Sequence, residues 1–235
     1  MKISVCLATY NGADFIIRQL DSVLKQLREN DQVVLVDDCS KDGTVEMIKE
    51  KYGNRVDVFV NEQNVGAIKS FEKAISLAKG DILFLCDQDD IWDDRKVAKV
   101  VQAFQEQNAD LVVHDAQVVD GNLHIINHSW NQYNGNNINQ GMFGNILKNA
   151  FTGAMMAFRK ELVQQILPFP DSIEMHDQWI ALVCMREKKN IVVINEPLMK
   201  YVRHGKNVTG IKKRKLSQQL KGRLGTIVAS FQYKK

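Results

Sequence analysis

Short apolar runs rich in β-branched residues alternate with segments of helical periodicity through the first half of the chain. The strand-like runs occupy residues 3–8, 32–36, 56–60 and 82–86. Between them, apolar residues recur at helical spacing, as in residues 16–27. This alternation predicts βαβ units, and therefore an α/β fold with a mostly parallel, Rossmann-like sheet and helices on both faces.

The pattern in the second half is less regular. Residues 110–119, 154–158 and 191–194 predict further strands, and Asp177 opens a predicted helix that runs to about residue 188. Residues 127–141 form a polar segment rich in Asn and Gln. Because such a segment is a poor core former, it predicts a surface loop, either on the acceptor side of a binding site or as a mobile lid.

Composition indicates a globular protein. A chain of 235 residues with 45% hydrophobic content can bury a substantial core. The four cysteines are scattered without paired spacing, which favours a reducing, cytoplasmic setting. The first apolar run, residues 3–8, is too short for a signal sequence, and no run approaches the length of a membrane span.

Charge is divided unevenly along the chain. Residues 200–235 hold 11 Lys and Arg and no Asp or Glu, whereas residues 1–199 hold 20 basic and 28 acidic residues, a net charge of −8. A cationic end on an acidic body predicts an anionic partner. A nucleic acid is disfavoured because the sequence carries none of the motifs by which proteins bind it.

The end of the chain, residues 211–235, combines these basic residues with apolar residues at helical spacing. The apolar set is Leu216, Leu220, Leu224, Ile227, Val228 and Phe231. This pattern predicts an interfacial helix on anionic lipid, with the protein peripheral at the inner face of the cell membrane. The alternative is a terminal helix packed on the body, and Gly222 and Gly225 weaken helix propensity in both cases.

Three carboxylates follow the apolar run at 82–86. Asp87, Asp89 and Asp90 lie within four residues, where their like charges repel one another. This crowding predicts a positive group beside them, best a hard divalent cation that also binds phosphate oxygens. The competing interpretation is a solvated acidic turn before a helix.

Two other polar segments follow predicted strands. Residues 9–12 follow the first strand, and the pair Asp37 and Asp38 follows the second. Ligands of open α/β sheets bind at the carboxyl ends of the strands, so a carboxylate here could accept a hydrogen bond from a nucleotide base or a ribose hydroxyl. Ser40 or Asp42 could instead cap the helix that follows.

Taken in order, five motifs resemble glycosyltransferase family 2, over at least residues 1–180. They are Thr9-Tyr10-Asn11-Gly12, Val36-Asp37-Asp38-Cys39-Ser40-Lys41-Asp42-Gly43-Thr44, Asn64-Val65-Gly66, Lys79-Gly80-Asp81 and Asp87-Gln88-Asp89-Asp90. The resemblance implies the GT-A fold, a nucleotide-diphosphate-sugar donor, a saccharide or lipid-linked glycan acceptor, and inversion at the anomeric carbon.

The resemblance also implies roles for single residues. Asp177, in Met175-His176-Asp177-Gln178-Trp179, would be the catalytic base. Asp89 would be the principal ligand of Mg²⁺ or Mn²⁺. The donor would contact Thr9, Tyr10, Asn11, Asp38, Asp87 and Gln88. Apart from the resemblance, the chemistry of residues 201–209 offers His204 as an additional ligand of the metal, the alternative being a structural histidine. In the same segment, Arg203 or Lys206 could bind the phosphates of the donor directly, as their positive charges suit.

Two departures from the family pattern narrow the expectation. His176 stands where many relatives have Glu, which leaves the preceding residue without an assigned role. The Gln-x-x-Arg-Trp element of the processive polymer synthases is absent, so the sequence favours single transfer. Residues 86–92 and 203–205 look like bacterial rhamnosyltransferases, which use dTDP-rhamnose.

These observations predict one catalytic domain over residues 1–210, followed by the basic amphipathic tail at 211–235. Within the domain, residues 1–90 would bind the nucleotide and residues 91–210 the acceptor. The alternatives are a nucleotidyltransferase of related architecture and a non-enzymatic Ca²⁺-binding module, although the acidic cluster lacks EF-hand spacing. A dinucleotide oxidoreductase is disfavoured because no GxGxxG motif follows the first strand.

Overall fold

The computed structural model describes residues 1–205 and 216–233. Its strands are β1 (Ile3–Thr9), β2 (Gln32–Asp37), β3 (Asp57–Val60), β4 (Ile82–Cys86), β5 (Ile91–Trp92), β6 (Leu111–Asp120), β7 (Ile125–Asn127), β8 (Met156–Arg159) and β9 (Ile191–Arg203). Its α-helices are α1 (Ile16–Leu24), α2 (Thr44–Tyr52), α3 (Ala67–Leu77), α4 (Lys96–Glu106), α5 (Trp130–Asn134), α6 (Gly141–Leu147), α7 (Val163–Ile166), α8 (His176–Arg186) and α9 (Leu216–Gln232).

These strands form one sheet in the order β3-β2-β1-β4-β8-β6-β9-β5, with β7 paired to β6. The first four strands are mutually parallel, as the alternation of strands and helices predicts. In the second half, β6 and β9 are parallel, whereas β8 is antiparallel to both β4 and β6. The predicted α/β class is confirmed, and the first four strands match the predicted ranges to within a residue.

The central strands are buried along their whole length because helices cover the sheet. All five residues of β4 are buried, and α3 packs against β1 and β2. Continuous apolar strands of this kind are typical of parallel sheets covered on both faces. The carboxyl ends of β1, β2 and β4 therefore meet at one edge of a rigid core.

Strand β9 is much longer than its sequence pattern predicts. The polar residues Asn195 and Glu196 and then Pro197 interrupt the apolar run, so periodicity indicates a strand only at 191–194. The chain nevertheless stays extended to Arg203, pairing with β6 through two register shifts and with β5 antiparallel. This extension carries the following residue, His204, to the end of β4.

The polar segment 127–141 is not all loop, so that prediction is wrong for residues 130–134. Helix α5 begins here because the side chain of Ser129 accepts a hydrogen bond from the backbone N–H of Gln132 (3.1 Å). Trp130 is buried, and its indole N–H donates to the Thr152 hydroxyl (2.9 Å). A capped start and one buried aromatic residue thus fix a short helix in a polar sequence.

Helix α9 packs one side on the body of the protein. Thr226 and Ala229 are buried, and the Thr226 hydroxyl donates to Oε1 of Gln178 on α8 (3.2 Å). Leu224, Val228 and Phe231 point outward. The predicted apolar helix is therefore present, docked by one face, while residues 206–215 and 234–235 lie outside the described part of the chain. Across the described residues, every helix is too short or too polar to cross a bilayer.

Gly225 brings α9 close to the backbone of the body. A Cβ at this position would overlap the backbone carbonyl oxygen of Ser172, in the segment just before α8. The glycine is therefore needed for close approach, although it weakens the helix itself.

Gly225→Ala should lower the free energy of unfolding by about 1–3 kcal/mol through overpacking, although alanine has the higher helix propensity. Urea denaturation provides the measurement. Gly121→Ala is the matched control, because a Cβ there would meet no atom within 4 Å. Equal stability of the two variants would show that α9 does not dock at Ser172.

Candidate functional site

The ends of β1 and β4 are joined by the side chain of Gln88. Its Oε1 accepts hydrogen bonds from the Thr9 hydroxyl (2.7 Å) and the Tyr10 backbone N–H (2.8 Å), and its Nε2 donates to the Tyr10 carbonyl (3.3 Å). A Cβ at Gly12 would lie 2.6 Å from the same Oε1 and 2.7 Å from the Thr9 hydroxyl oxygen, so a larger residue there would displace this contact. Three predicted donor-binding residues therefore form one cluster, and the Tyr10 side chain is exposed beside it.

Asp38, at the end of β2, is held by three donors. Its Oδ1 accepts from Asn61 Nδ2 and from the backbone N–H of Val65 (both 2.9 Å), and its Oδ2 accepts from the N–H of Gly66 (2.8 Å). Gly66 has φ +85°, a conformation that favours glycine. Asp38 thus folds the Asn64-Val65-Gly66 motif into a turn at this edge, and its contact with a nucleotide base stays a prediction.

Asn11 connects the loops that follow β1 and β2. Its Oδ1 accepts from the Lys41 N–H (2.9 Å), and its own N–H donates to the Ser40 hydroxyl oxygen (2.8 Å). Asp42 accepts from the N–H of Ala13 (3.0 Å) and from that of Thr44 (3.2 Å), the first residue of α2. Of the two candidate capping residues, Asp42 therefore contacts the helix start, while Ser40 hydrogen-bonds within the turn.

The two predicted metal ligands lie together, although 115 residues separate them in the sequence. Nε2 of His204 is 2.8 Å from Oδ2 of Asp89, and both side chains are about one-tenth exposed. The imidazole stacks on Phe15, with ring centroids 4.3 Å apart. Arg18 donates to the backbone carbonyl of Asp89 (3.2 Å).

Asp90 has a structural role that the sequence does not suggest. Its Oδ1 accepts a hydrogen bond from the backbone N–H of Val202 (3.1 Å), and this bond fixes the end of β9 beside β4. Burial, with the charges of Asp89 and Asp87, raises the pKa of Asp90 well above its usual range. The carboxyl group therefore serves to place Arg203 and His204.

Asp87 is influenced by the charges of both Asp89 and the predicted base, Asp177. Burial, then the charges of Asp89 and Asp177, raise the pKa of Asp87 to about 7, while the charge of Lys96 opposes them. The acidic motif and Asp177 therefore share one electrostatic site. A cation bound there would lower the pKa of Asp87.

Lys96 is a functional candidate that sequence reasoning missed. It is fully buried on α4, where its ammonium group donates to the Ala154 carbonyl (2.7 Å) and lies 4.0 Å from the Trp92 ring centroid. Burial lowers its pKa to about 7, against the charges of Asp90 and Asp87. The signal was present in the sequence, because helical spacing places Lys96 on the apolar face with Val100.

Asp177 stands in the first turn of α8 and is oriented by three donors. Its Oδ1 accepts from Asn149 Nδ2 (2.9 Å) and the Gln178 N–H (2.6 Å), and its Oδ2 accepts from the Gly153 N–H (3.0 Å). The sequence gives no sign of the parts played by Asn149 and Gly153, since both contacts depend on tertiary folding. The fixed carboxylate can receive a proton from a neighbouring hydroxyl.

His176 packs as an aromatic side chain beside Asp177. Its ring stacks on Phe71, with centroids 4.2 Å apart, and lies 6.3 Å from the Phe169 centroid. Burial lowers its pKa, so the ring is neutral near pH 7. A Cβ at Gly153 would lie 2.8 Å from its Nε2. The residue that replaces the expected Glu therefore fills space between α3 and α8.

The remaining predicted residues are placed as follows. Arg203 ends β9, next to His204, whereas Lys206 lies outside the described residues. Within the described part of the chain, no group of three or more His, Cys, Asp or Glu side chains is arranged to hold a metal. The Asp89 and His204 pair could therefore hold a cation only if the bound ligand or water supplied further oxygens, which is how Mg²⁺ is commonly bound beside phosphates.

A family model described as Glycosyl transferase family 2 matches residues 4–167. An uncharacterized glycosyltransferase of Nostoc sp. is 26% identical over 215 residues, which are 88% of this chain and 66% of that protein. The glycosyltransferase GlyG of Streptococcus pneumoniae is 32% identical over 128 residues, 52% of this chain and 42% of that protein. This chain thus spans less than two thirds of the length of these relatives.

A third relative is the Escherichia coli protein named UDP-Glc:alpha-D-GlcNAc-diphosphoundecaprenol beta-1,3-glucosyltransferase WfgD, 27% identical over 51% of this chain and 47% of its own length. Among solved structures, Staphylococcus aureus TarS with UDP-GlcNAc has a TM-score of 0.74 at 21% identity, over 100% of this chain and 68% of that one. The mannosyltransferase PcManGT of Pyrobaculum calidifontis, with GDP-Man and Mn²⁺, has a TM-score of 0.64 at 21% identity, over 98% and 63%. These likenesses confirm the predicted GT-A fold.

Lys96→Met should lose stability relative to the unsubstituted protein as the pH rises from about 7 to 9. Because the pKa of Lys96 is about 7 when folded and 10.5 as a free side chain, the unfolded chain binds more protons in this range, and the free energy of unfolding rises with pH. The variant lacks that rise, and its Asp87 binds a proton more tightly. Urea denaturation should show that the difference in free energy of unfolding between the unsubstituted protein and the variant grows by up to about 1 kcal/mol per pH unit.

Lys99→Met is the matched control for this experiment. Lys99 is on the same helix but is partly exposed, and it pairs with Glu196 at the surface (2.9 Å). The free energy of unfolding of Lys99→Met should differ from that of the unsubstituted protein by a nearly constant amount between about pH 7 and 9. A constant difference for Lys96→Met as well would contradict the placement of a buried ammonium group beside Asp87 and Asp90.

Proposed function

Since this chain belongs to glycosyltransferase family 2, we propose that it transfers one sugar from a nucleotide-diphosphate sugar to a hydroxyl group of a cell-surface polysaccharide or lipid-linked glycan precursor, with inversion. The observation that carries the proposal is the meeting of three groups at one edge of the sheet. They are the Asp89 and His204 pair, the oriented carboxylate of Asp177, and Asp87, whose pKa is raised by the charges of both Asp89 and Asp177.

The donor would bind at the carboxyl ends of β1, β2 and β4. Gln88 keeps the Thr9 and Tyr10 segment against β4, and Asp38 and Asn11 order the turns on its other side. The nucleotide base of the donor would lie near Asp38, and its diphosphate near Asp87 and Asp89. Arg203 and Lys206 would bind the phosphates as cations. The TarS and PcManGT structures hold UDP-GlcNAc and GDP-Man, which agrees with a nucleotide-sugar donor.

Asp89 and His204 would hold Mg²⁺ or Mn²⁺. Their adjacent oxygen and nitrogen atoms suit a divalent cation that takes its other ligands from the diphosphate and water. The Mn²⁺ in the PcManGT structure supports this proposal. When bound, the cation would offset the negative charge that the leaving diphosphate gains. Phe15, stacked on the imidazole, keeps His204 in place for that purpose.

Asp177 would act as the general base. The acceptor hydroxyl attacks the anomeric carbon from the face opposite the diphosphate, and its proton passes to the carboxylate as the new C–O bond forms. The donors from Asn149 and Gly153 fix the direction of the carboxylate oxygens before the acceptor arrives. A positioned base of this kind contributes a factor of about 10²–10⁴ to the rate.

Rhamnose is the sugar that we propose for the donor. The proposal depends on the resemblance of residues 86–92 and 203–205 to bacterial rhamnosyltransferases. His204 meets Asp89, so the two segments that carry the resemblance are in contact. A lipid-linked acceptor agrees with the name of WfgD, which refers to a diphosphoundecaprenol substrate. The basic segment at 211–235 would then hold the enzyme peripherally at the inner face of the membrane.

A screen of nucleotide sugars with and without Mn²⁺ tests the function. We expect release of a nucleoside diphosphate, fastest with dTDP-rhamnose, and complete loss of turnover in EDTA and in Asp89→Ala. Asp94→Ala is the control, since Asp94 is an exposed carboxylate five positions later, beyond β5, and pairs only with Lys25 among the described residues. Full activity in EDTA would contradict the metal proposal, and release of pyrophosphate would identify a nucleotidyltransferase.

Asp177→Asn should keep the fold and the nucleotide affinity but lower kcat by at least about two orders of magnitude, because asparagine cannot accept the proton. Asp171→Asn, at an exposed acidic residue six positions earlier, should retain full activity. Steady-state kinetics gives kcat for both variants, and thermal unfolding checks that the two are equally stable. A rate within a few-fold of the original for Asp177→Asn would assign the proton to another group.

A further inference from the structure

Two helices that contact each other expose an unusual number of large apolar side chains. Phe143 on α6 is 80% exposed and Phe231 on α9 is 84% exposed. The other members are Met142 and Leu147 on α6, and Leu224 and Val228 on α9. We call these six residues the α6–α9 face. Clustered exposed apolar residues mark interaction sites rather than ordinary surface.

Each helix packs its opposite side against the body, so the exposed apolar residues of α6 and α9 lie on their outer sides. On α9, the exposed residues recur at four- and three-residue spacing, while Thr226 and Ala229 are buried opposite them. On α6, Asn145 is buried, and its backbone carbonyl accepts from Gln178 Nε2 (2.6 Å). The α6–α9 face is thus held rigidly outward by polar contacts beneath it.

The segments that carry this face contain no carboxylates of their own, although Glu174, from the segment before α8, lies against α9 at Gly222. Residues 121–160 and 200–235 together hold 14 Lys and Arg and no Asp or Glu, whereas the rest of the chain holds 17 basic and 28 acidic residues. We propose that the α6–α9 face docks on an anionic lipid bilayer, with its apolar side chains among the acyl chains and the basic residues at the headgroups. A second copy of this chain fits poorly, because two-fold pairing would bring these cationic segments together.

This docking would present the catalytic base to the membrane. This docking proposal rests on the proposed function, in which the enzyme transfers a sugar to a lipid-linked acceptor. Asn149, which orients Asp177, follows α6 by two residues, and α9 packs on the segment before α8. An acceptor embedded in the bilayer would therefore approach Asp177 from the side on which the enzyme is bound.

Sedimentation of the full chain with vesicles tests the proposal. The protein should bind phosphatidylglycerol-containing vesicles at least about tenfold more tightly than pure phosphatidylcholine vesicles, and this binding should weaken with added salt. The double variant Phe143→Ser and Phe231→Ser should lose at least about tenfold in affinity for the anionic vesicles. A matched double variant, Met47→Ser and Val60→Ser, alters two exposed apolar residues on α2 and β3 and should bind as the unsubstituted protein does.

Two results would overturn the proposal. One is equal vesicle binding by the Phe143 and Phe231 variant and the unsubstituted protein. The other is a dimer in analytical ultracentrifugation that only this variant abolishes, which would assign the face to self-association. Nucleoside diphosphate release without vesicles should be the same in all three proteins. If none of them turns over a donor, the proposed reaction fails, while the sedimentation result still decides whether the face binds lipid.

Discussion

Four carboxylates are crowded at one edge of the sheet, and their mutual repulsion is the constraint on which the site depends. Each is accommodated differently. Asp90 accepts a backbone hydrogen bond from β9, Asp177 has three donors, and Asp89 contacts His204. The charges of Asp87 and Asp90 are the least compensated, since burial and the neighbouring charges raise the pKa of Asp87 to about 7 and that of Asp90 well above its usual range. Charges arranged this way favour the entry of a cation.

The same constraint positions the surrounding elements. Asp90 ties the end of β9 to β4, which is how His204 comes to lie beside Asp89. Lys96 supplies a positive charge from the protein interior, where the Ala154 carbonyl and the Trp92 ring hold its ammonium group. A donor diphosphate and its cation would complete the balance of charge from the solvent side. Hydrogen bonds within the protein order the residues at this edge of the sheet.

The fold and most of the site were predictable from local pattern. The parallel strands follow from apolar runs, and the acidic motif and Asp38 follow from polar residues at the ends of those runs. Asp177, in the first turn of α8, was singled out only by the family resemblance. What sequence pattern could not give is long-range pairing. Strand β9 continues beyond a proline because β5 and β6 pair with it, and the contacts of Asn149 with Asp177 and of Gly225 with Ser172 exist only after α6, α8 and α9 have packed.

The tail shows the same division between local and tertiary information. Its helical periodicity was readable, but periodicity alone could not separate a free amphipathic helix from a docked one. The structure combines the two, because Thr226 and Ala229 of α9 pack on the body while Leu224, Val228 and Phe231 point outward.

Calorimetric titration of Mn²⁺ into the protein, with and without a nucleoside diphosphate, tests most directly whether the carboxylate edge and the diphosphate form one cation site. Two protein ligands bind a hard cation weakly, and diphosphate oxygens complete its coordination. The Mn²⁺ affinity should therefore rise at least about tenfold when the nucleoside diphosphate is present, and the affinity for the nucleoside diphosphate should rise by the same factor with Mn²⁺. Equal Mn²⁺ affinity in both titrations would contradict the account.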